Sequence, residues 1–254
     1  MNRLNMKQLF VFSLVMFWFS SFSQNDNYDY FPKQSIAKLN PASFTFGKIS
    51  LGYEHVLENN KSLALQIGIP LNTELPQSLL DELNSENIVL DDSSIQSFSV
   101  RPSYRMYLSA KKRGPKGLYF EPSLKYQQIE LEGSGTFTAD DNTIYPIGSD
   151  NRASTFGAGL QLGSQWLVSD VFSIDLFFLG PEINFGSVES STIDNGAISP
   201  SDRQELVNEI DEEFADLPLI GDYEVTATDT SIDVETTGST IPGFRFGVQF
   251  GFAF

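Results

Sequence analysis

Apolar and polar residues alternate strictly over the last fifteen residues of the chain, Thr240 to Phe254. Successive side chains of a β-strand point to opposite faces of the sheet, so this pattern predicts a strand with one aromatic face. An apolar face opposite a face of small or polar residues is typical of membrane-spanning β-barrels. The aromatic face holds Phe244, Phe246, Val248, Phe250, Phe252 and Phe254, and the other face holds Gly243, Arg245, Gly247, Gln249, Gly251 and Ala253.

Six further segments alternate in the same way and form three predicted β-hairpins, because turn-forming residues separate the members of each pair. With the C-terminal strand they account for seven strands. The pairs are residues 49–57 with 63–69, 97–108 with 118–127, and 156–168 with 172–178.

An eighth strand is needed on topological grounds. If the C-terminus lies in the periplasm, seven strands leave the mature N-terminus on the wrong side of the membrane. The stretch Gln34–Ala42 is the remaining candidate, although its alternation is poor. Because bacterial barrels of this kind have an even number of strands, we predict an all-β fold: an antiparallel, eight-stranded transmembrane up-and-down β-barrel.

Three segments are too long for tight turns, and we expect them to be long extracellular loops that contain short helices. They are residues 71–95, 132–153 and 187–239. In the third, Ser199-Pro200-Ser201-Asp202 predicts a helix start, and apolar residues at helical spacing continue as far as Pro218. The helical positions are Leu206, Ile210 and Phe214, with a second short helix expected near Leu79, Leu80 and Leu83, and strand extensions at Tyr223, Val225, Ala227, Ile232 and Val234.

The N-terminus has the organisation of a secretory signal peptide. Arg3 and Lys7 precede an apolar run at residues 9–19, and we expect cleavage after Ser23. Residues 24–254 then form a single barrel domain. The apolar run is shorter than the roughly 20 residues that a membrane-spanning helix needs. The absence of cysteine excludes lipid attachment to cysteine, disulfides and thiolate metal sites.

Charge is distributed unevenly along the chain. The three long segments hold 24 of the 33 acidic residues but only two basic ones, Arg152 and Arg203. We therefore expect a strongly acidic extracellular rim. The net charge of -17 argues against nucleic acid as a partner. Basic residues lie instead in the short turns, at Lys61, Lys111, Lys112, Arg113 and Lys116.

Three stretches carry a resemblance to a known family: Leu39-Asn40-Pro41, the run Phe46–Leu57 and the terminal residues Phe250–Phe254. With the signal peptide, they resemble the small eight-stranded outer-membrane β-barrels of Gram-negative bacteria, of the OmpA/OmpX architecture. The resemblance implies insertion by the outer-membrane assembly machinery, which reads a C-terminal aromatic strand, here Phe250, Phe252 and Phe254. It implies no catalytic residues.

If the Phe face contacts lipid, the opposite face places four cations and three anions inside the barrel. Enclosed charges are costly unless they are paired. An eight-stranded barrel is just wide enough for side chains to fill it, so we expect a hydrogen-bonded plug, with an ion-selective filter as the alternative. The charged residues are Glu54, Arg101, Arg105, Glu121, Lys125, Asp175 and Arg245, and Gln66, Gln161, Gln165 and Gln249 lie between them.

The sequence offers little catalytic chemistry, so we expect neither an enzyme nor a cofactor. His55 is the only histidine, and its position places it with Tyr53 on the outward face, in an interfacial aromatic belt. No G-x-S-x-G motif occurs. Gly133-Ser134-Gly135 is too short for a phosphate-binding loop and is expected to lie in a surface loop.

Acidic side chains of the long segments are candidates for binding Ca²⁺, or for bridging to lipopolysaccharide phosphates through divalent cations. No spacing such as D-x-D-x-D-G is present, and the pattern favours a solvated, mutually repulsive surface. The candidate ligands are Asp229, Asp233 and Glu235, and a second group of Asp211, Glu212 and Glu213.

The sequence leaves three functional hypotheses. The first is an integral outer-membrane barrel with a filled lumen and acidic extracellular loops, in a structural or surface-interaction role, in contact with outer-membrane lipids and lipopolysaccharide. The second is a narrow porin or a carrier of small molecules. The third is a secreted soluble lipid-binding barrel with its apolar face inward, which side-chain volume disfavours because Phe-rich faces would overfill an eight-stranded interior.

Overall fold

The computed structural model describes residues 33–57, 60–84, 87–108, 115–215 and 221–254, without the side chains of Glu82, Leu83, Glu213 and Phe214. The predicted signal peptide and the turn residues Lys111, Lys112 and Arg113 therefore lie outside the described residues. Within these ranges, no helix has the length and apolar character needed to cross a membrane.

The described chain consists mainly of antiparallel strands with two short α-helices. A 3-10 helix at Pro41–Phe46 joins the first two strands. The strands are β1 Ser35–Asn40, β2 Lys48–Val56, β3 Lys61–Pro70, β4 Thr73–Glu74, β5 Ile88–Tyr107, β6 Gly117–Thr138, β7 Ile144–Val168, β8 Phe172–Ile193, β9 Asp222–Ala227, β10 Ser231–Thr237 and β11 Ser239–Ala253, and the helices are α1 Gln77–Leu83 and α2 Pro200–Ala215.

Eight of these strands form a closed ring in the order β1-β2-β3-β5-β6-β7-β8-β11, and β11 pairs back onto β1. The predicted count of eight antiparallel strands is confirmed. The first strand lies inside the predicted stretch Gln34–Ala42. Closure is direct, since Ser35 and Phe254 exchange two backbone hydrogen bonds of 3.2 and 2.9 Å. We call the end of the ring with Ser35, Phe254 and the short turns the near end, and the opposite end the far end.

Large apolar side chains cover the outside of the ring. Phe246 of β11 is 74% exposed, and Phe244, Phe250 and Phe252 on the same face are exposed as well. The third hypothesis requires the apolar face to turn inward, and that orientation is therefore wrong. Other strands follow the same rule, with exposed Leu51, Leu65, Leu124, Phe156 and Phe172.

The ring strands differ greatly in length, and this corrects the prediction of three long loops. Strands β5 to β8 have 20, 22, 25 and 22 residues, whereas β1 to β3 have 6, 9 and 10. Most of residues 132–153 continues the β6–β7 ladder, and only residues 139–143 connect the two strands. Gly133-Ser134-Gly135 thus lies within β6 rather than in a loop.

The extended strands join β9, β10 and α2 in a folded lobe at the far end, which we define as residues 132–153, 187–215 and 221–237. The predicted helices near Leu80 and Leu206 are present as α1 and α2, and the strand extensions are β9 and β10. The lobe has a hydrophobic core of its own, made of Phe137, Ala139, Ile147, Ile198, Leu206, Ile210, Ile232 and Val234.

Candidate functional site

Charged side chains from strands that are not neighbours meet across the interior of the ring. Arg105 on β5 lies 2.7 Å from Asp175 on β8 and 3.3 Å from Glu54 on β2, measured between its Nη1 atom and the carboxylate oxygens. At least two other strands separate β5 from β8 in either direction around the ring. These contacts therefore pass through the enclosed space.

Arg105 is the centre of a near-end network. Its Nε and Nη2 atoms both bind the Oε2 atom of Glu121, at 2.9 and 2.6 Å. The guanidinium carbon of Arg105 lies 4.0 Å from the centre of the Tyr119 ring. One cation thus contacts three carboxylates from β2, β6 and β8 and holds these strands at one depth.

Lys38 on β1 supplies the second cation of this network. Its Nζ atom lies 2.6 Å from Glu54 and 2.8 Å from Asp175, and both carboxylates are fully buried. Reasoning from the sequence missed Lys38 because β1 has too weak an alternation to assign its faces. We define the near network as Lys38, Glu54, Arg105, Glu121 and Asp175.

Neutral donors satisfy the oxygen atoms that the cations leave free. The hydroxyl groups of Ser62 and Tyr107 each donate to Glu54 at 2.6 Å. Tyr119 donates to Asp175 at 2.7 Å, and Ser103 donates to Glu121 at 2.6 Å. Buried charges are tolerated when they are paired and fully hydrogen-bonded, so these contacts account for a charged interior. Gln161 and Gln165 extend the same hydrogen-bond network to β7.

Little open space remains between these groups. A cavity of about 20 Å³ is lined by residues that include Lys38, Gln66, Arg245 and Gln249. A volume of this size holds about one water molecule. Small inward residues keep the packing tight: a Cβ atom at Gly163 would lie 2.3 Å from the hydroxyl oxygen of Tyr119. The interior is therefore filled by side chains at this depth.

A second group of charges lies closer to the far end, and we define the far cluster as Lys48, Arg101, Lys125, Glu182 and Arg245. Glu182 binds Arg101 at 2.6 Å and Lys125 at 2.8 Å, and lies 3.8 Å from the Nε atom of Arg245. Arg245 also donates to Gln66 at 2.9 Å. The structure thus places the seven charged residues of the sequence prediction in two groups, four in the near network and three in the far cluster.

Glu182 was missed because it lies beyond the predicted strand 172–178, and a β-bulge in β8 separates it from that strand. The pairing of β8 with both neighbours shifts register next to Phe178, where Phe178 and Leu179 are both exposed. An extra residue in one strand exchanges the inward and outward positions beyond it. Asp175 before the bulge and Glu182 after it therefore both point inward, although their numbers differ in parity.

The remaining candidate residues lie outside the ring interior. His55 is partly buried on the same face of β2 as Tyr53, whose hydroxyl group lies 2.8 Å from that of Ser35. Among the described residues, no group of three or more His, Asp or Glu side chains is arranged to hold a metal ion. Asp229, Asp233 and Glu235 are thus not brought together; Asp233 instead accepts hydrogen bonds from Ser191 and Ser231.

Acidic side chains of the lobe have specific partners, so the expected mutually repulsive surface is only part of the picture. Asp202 at the start of α2 accepts a hydrogen bond of 2.6 Å from Tyr145, and this bond lowers the pKa of Asp202. Glu209 accepts from Asn87, and Arg203 pairs with Asp194. These contacts attach α2 to β7 through Tyr145, to the residue before β5 through Asn87 and to the residue after β8 through Asp194.

Together, the closed ring, its apolar exterior and its ion-paired interior define a class: all-antiparallel eight-stranded rings with a polar, side-chain-filled centre. No family model and no curated protein matches the chain. Among solved structures, CarO of Acinetobacter baumannii is 12% identical over 91% of this chain and 100% of that chain, with a TM-score of 0.42. CarO2 of the same organism is 10% identical over 88% and 98%, with a TM-score of 0.41. Similarity at this level does not assign a function.

Proposed function

We propose that this protein is an integral outer-membrane β-barrel that does not conduct solutes and that holds a folded acidic lobe at the cell surface. The observation that carries the proposal is the inside-out arrangement of the ring. Phe-rich faces are exposed on its outside, and paired charges are buried in its centre. Exposed apolar area on this scale requires an apolar surrounding, and a lipid bilayer supplies one.

The filled interior supports a structural rather than a transport role. Arg105 connects three strands through the centre of the ring, and the cavity beside it has room for about one water molecule. A narrow porin or carrier, the second candidate, requires a path past these ion pairs. Its supporting observation is the slight exposure of the far cluster, which includes Arg245 at 16% of its side chain.

The lobe is the part of the molecule suited to surface contacts. The near end, with its short turns and Phe254, faces the periplasm in this proposal, and the lobe faces outward. Its acidic groups would then meet lipopolysaccharide, whose phosphates they could approach only through divalent cations. The proposed role includes neither catalysis nor a cofactor.

The C-terminal strand is proposed as the signal that the outer-membrane assembly machinery reads. Phe250, Phe252 and Phe254 are about half exposed on the outer face of β11. The same strand closes the ring against β1, so its recognition and the last step of folding would involve the same residues.

Cell fractionation with gel electrophoresis tests the location. We expect the protein in the outer-membrane fraction, and we expect unboiled samples to migrate differently from boiled ones because a closed barrel resists detergent. Recovery as a compact monomer in detergent-free buffer would contradict the proposal.

Planar bilayers separate the two candidate functions. We expect purified protein to give little conductance, because the near network blocks the ring. Large and stable channels from the unmodified protein would instead favour the porin. Boiled protein, added at the same concentration, controls for leakage caused by detergent.

A further inference from the structure

The two charge groups inside the ring have opposite imbalances. The near network contains two cations, Lys38 and Arg105, and three carboxylates. The far cluster contains four cations and one carboxylate, Glu182. Because Glu182 is already shared by Arg101, Lys125 and Arg245, positive charge in the far cluster exceeds its local compensation.

Lys48 makes the imbalance larger. It begins β2, lies on the same face as Ser50 and Glu54, and is partly buried. It lies within electrostatic reach of all three other cations and of Glu182, but forms no ion pair with any residue that the structure describes. Its side chain packs over Gly68, where an added Cβ atom would lie 2.8 Å from the Cδ atom of Lys48.

We propose that the far cluster binds a small oxyanion, such as inorganic phosphate or a carboxylate, between Lys48, Arg101, Lys125 and Arg245. Two guanidinium groups and two ammonium groups offer the planar and the point-like donors that oxyanions bind in proteins. Like charges held together in a partly enclosed space repel one another, and a bound anion relieves this repulsion.

The far cluster is more accessible to solvent than the near network. The side chains of Arg101, Lys125 and Arg245 are 10%, 12% and 16% exposed, whereas Lys38, Glu54 and Asp175 in the near network are 0–3% exposed. The cavity between the two groups is too small for phosphate. In the proposal, the anion binds on the more exposed side of the far cluster and does not pass the near network, so the cluster is a binding site and not a conduction path.

Calorimetric titration of inorganic phosphate into the purified protein, in an uncharged detergent and phosphate-free buffer at neutral pH, tests the proposal. We expect saturable binding of one phosphate per chain, with chloride competing only weakly because it cannot bridge several donors. Absence of saturable binding, or displacement by chloride at equal concentration, would overturn the proposal.

Matched variants locate the site. Lys48→Gln and Arg245→Gln should each weaken phosphate binding about tenfold, the loss expected for one charge-assisted hydrogen bond. Glu182→Gln should strengthen binding, because it removes the competing carboxylate. Arg152→Gln, on the outer face of the lobe, is the control and should leave binding unchanged. Phosphate affinity that is unaltered in Lys48→Gln would refute the assignment.

A gel comparison of boiled and unboiled samples shows whether each variant folds. Lys48→Gln keeps the test decisive even where Arg245→Gln or Glu182→Gln fails to fold, since Lys48 has no described ion pair to lose. The result is independent of the proposed membrane location, because phosphate binding is measured on the isolated protein and fractionation is measured in cells.

Discussion

At the scale of single residues, the ring interior depends on Arg105 more than on any one carboxylate around it. Glu54, Glu121 and Asp175 each have at least one further donor besides Arg105. Among the carboxylates of the near network, Lys38 pairs with Glu54 and Asp175. Without Arg105, Glu54 and Asp175 would share one cation, and Glu121 would keep only the neutral donors Ser103 and Gln161.

We expect Arg105→Gln to destabilise the ring by about 3–5 kcal/mol, the range found when one partner of a buried ion pair is removed. The physical reason is the uncompensated negative charge that remains in an enclosed space. Urea unfolding in detergent micelles, followed by the mobility of unboiled samples on gels, measures the change.

The matched control for this substitution is Arg152→Gln. Arg152 is 52% exposed and pairs with Glu130 at 3.1 Å, so its loss should cost no more than about 1 kcal/mol. Combining Arg105→Gln with Glu121→Gln should recover part of the lost stability, because one unpaired carboxylate disappears. Equal effects of Arg105→Gln and Arg152→Gln would mean that the interior network does not stabilise the ring.

At the scale of strands, the outward faces were predictable and some inward faces were not. The strict alternation of β11 placed Phe246 outside and Arg245 inside, as observed. The predicted strand 172–178 stopped short of Glu182, and the bulge in β8 interrupts the two-residue period, so extending that strand from Asp175 would also have placed Glu182 on the wrong face. A bulge is set by the pairing of neighbouring strands, which a single sequence does not display.

The lengths of β5 to β8 escaped prediction for a related reason. Their far-end extensions are rich in Ser, Gly, Thr and Asp, which are typical of loops. Regular pairing with neighbouring strands keeps these residues extended, as in the register from Leu131↔Asn151 to Thr138↔Ile144. Tertiary pairing thus overrides local preference at the far end.

Substitution at Phe246 tests the assigned outer face of β11. Phe246→Arg places a cation on that face, which costs about 2–4 kcal/mol near the middle of a bilayer. We expect less folded protein in the membrane fraction and a weaker mobility shift on unboiled gels.

The control at this position is Phe246→Leu, which keeps an apolar side chain at a site that is 74% exposed. Assembly of this variant should be close to that of the unmodified protein. If Phe246→Arg assembles equally well, the outer face of β11 does not contact lipid.

At the scale of the whole molecule, two parts are stabilised by opposite means. The ring buries ion pairs and exposes apolar side chains, whereas the lobe buries Leu206, Ile210, Phe137 and Val234 in a conventional core. Hydrophobic burial in water stabilises the lobe without help from a membrane. The strands β6, β7 and β8 run through both parts and connect them.

Because the two parts depend on different interactions, a charge buried in the lobe should unfold the lobe and leave the ring closed. Leu206 is fully buried on α2, so Leu206→Asp removes apolar contacts and adds an unpaired carboxylate. The control is Leu79→Asp on α1, which changes a side chain that is 40% exposed. We expect trypsin to cleave Leu206→Asp after Arg203 while the gel shift of the ring persists, and Leu79→Asp to resist cleavage as the unmodified protein does. If Leu206→Asp loses both the gel shift and its resistance to trypsin, lobe and ring unfold as one cooperative unit.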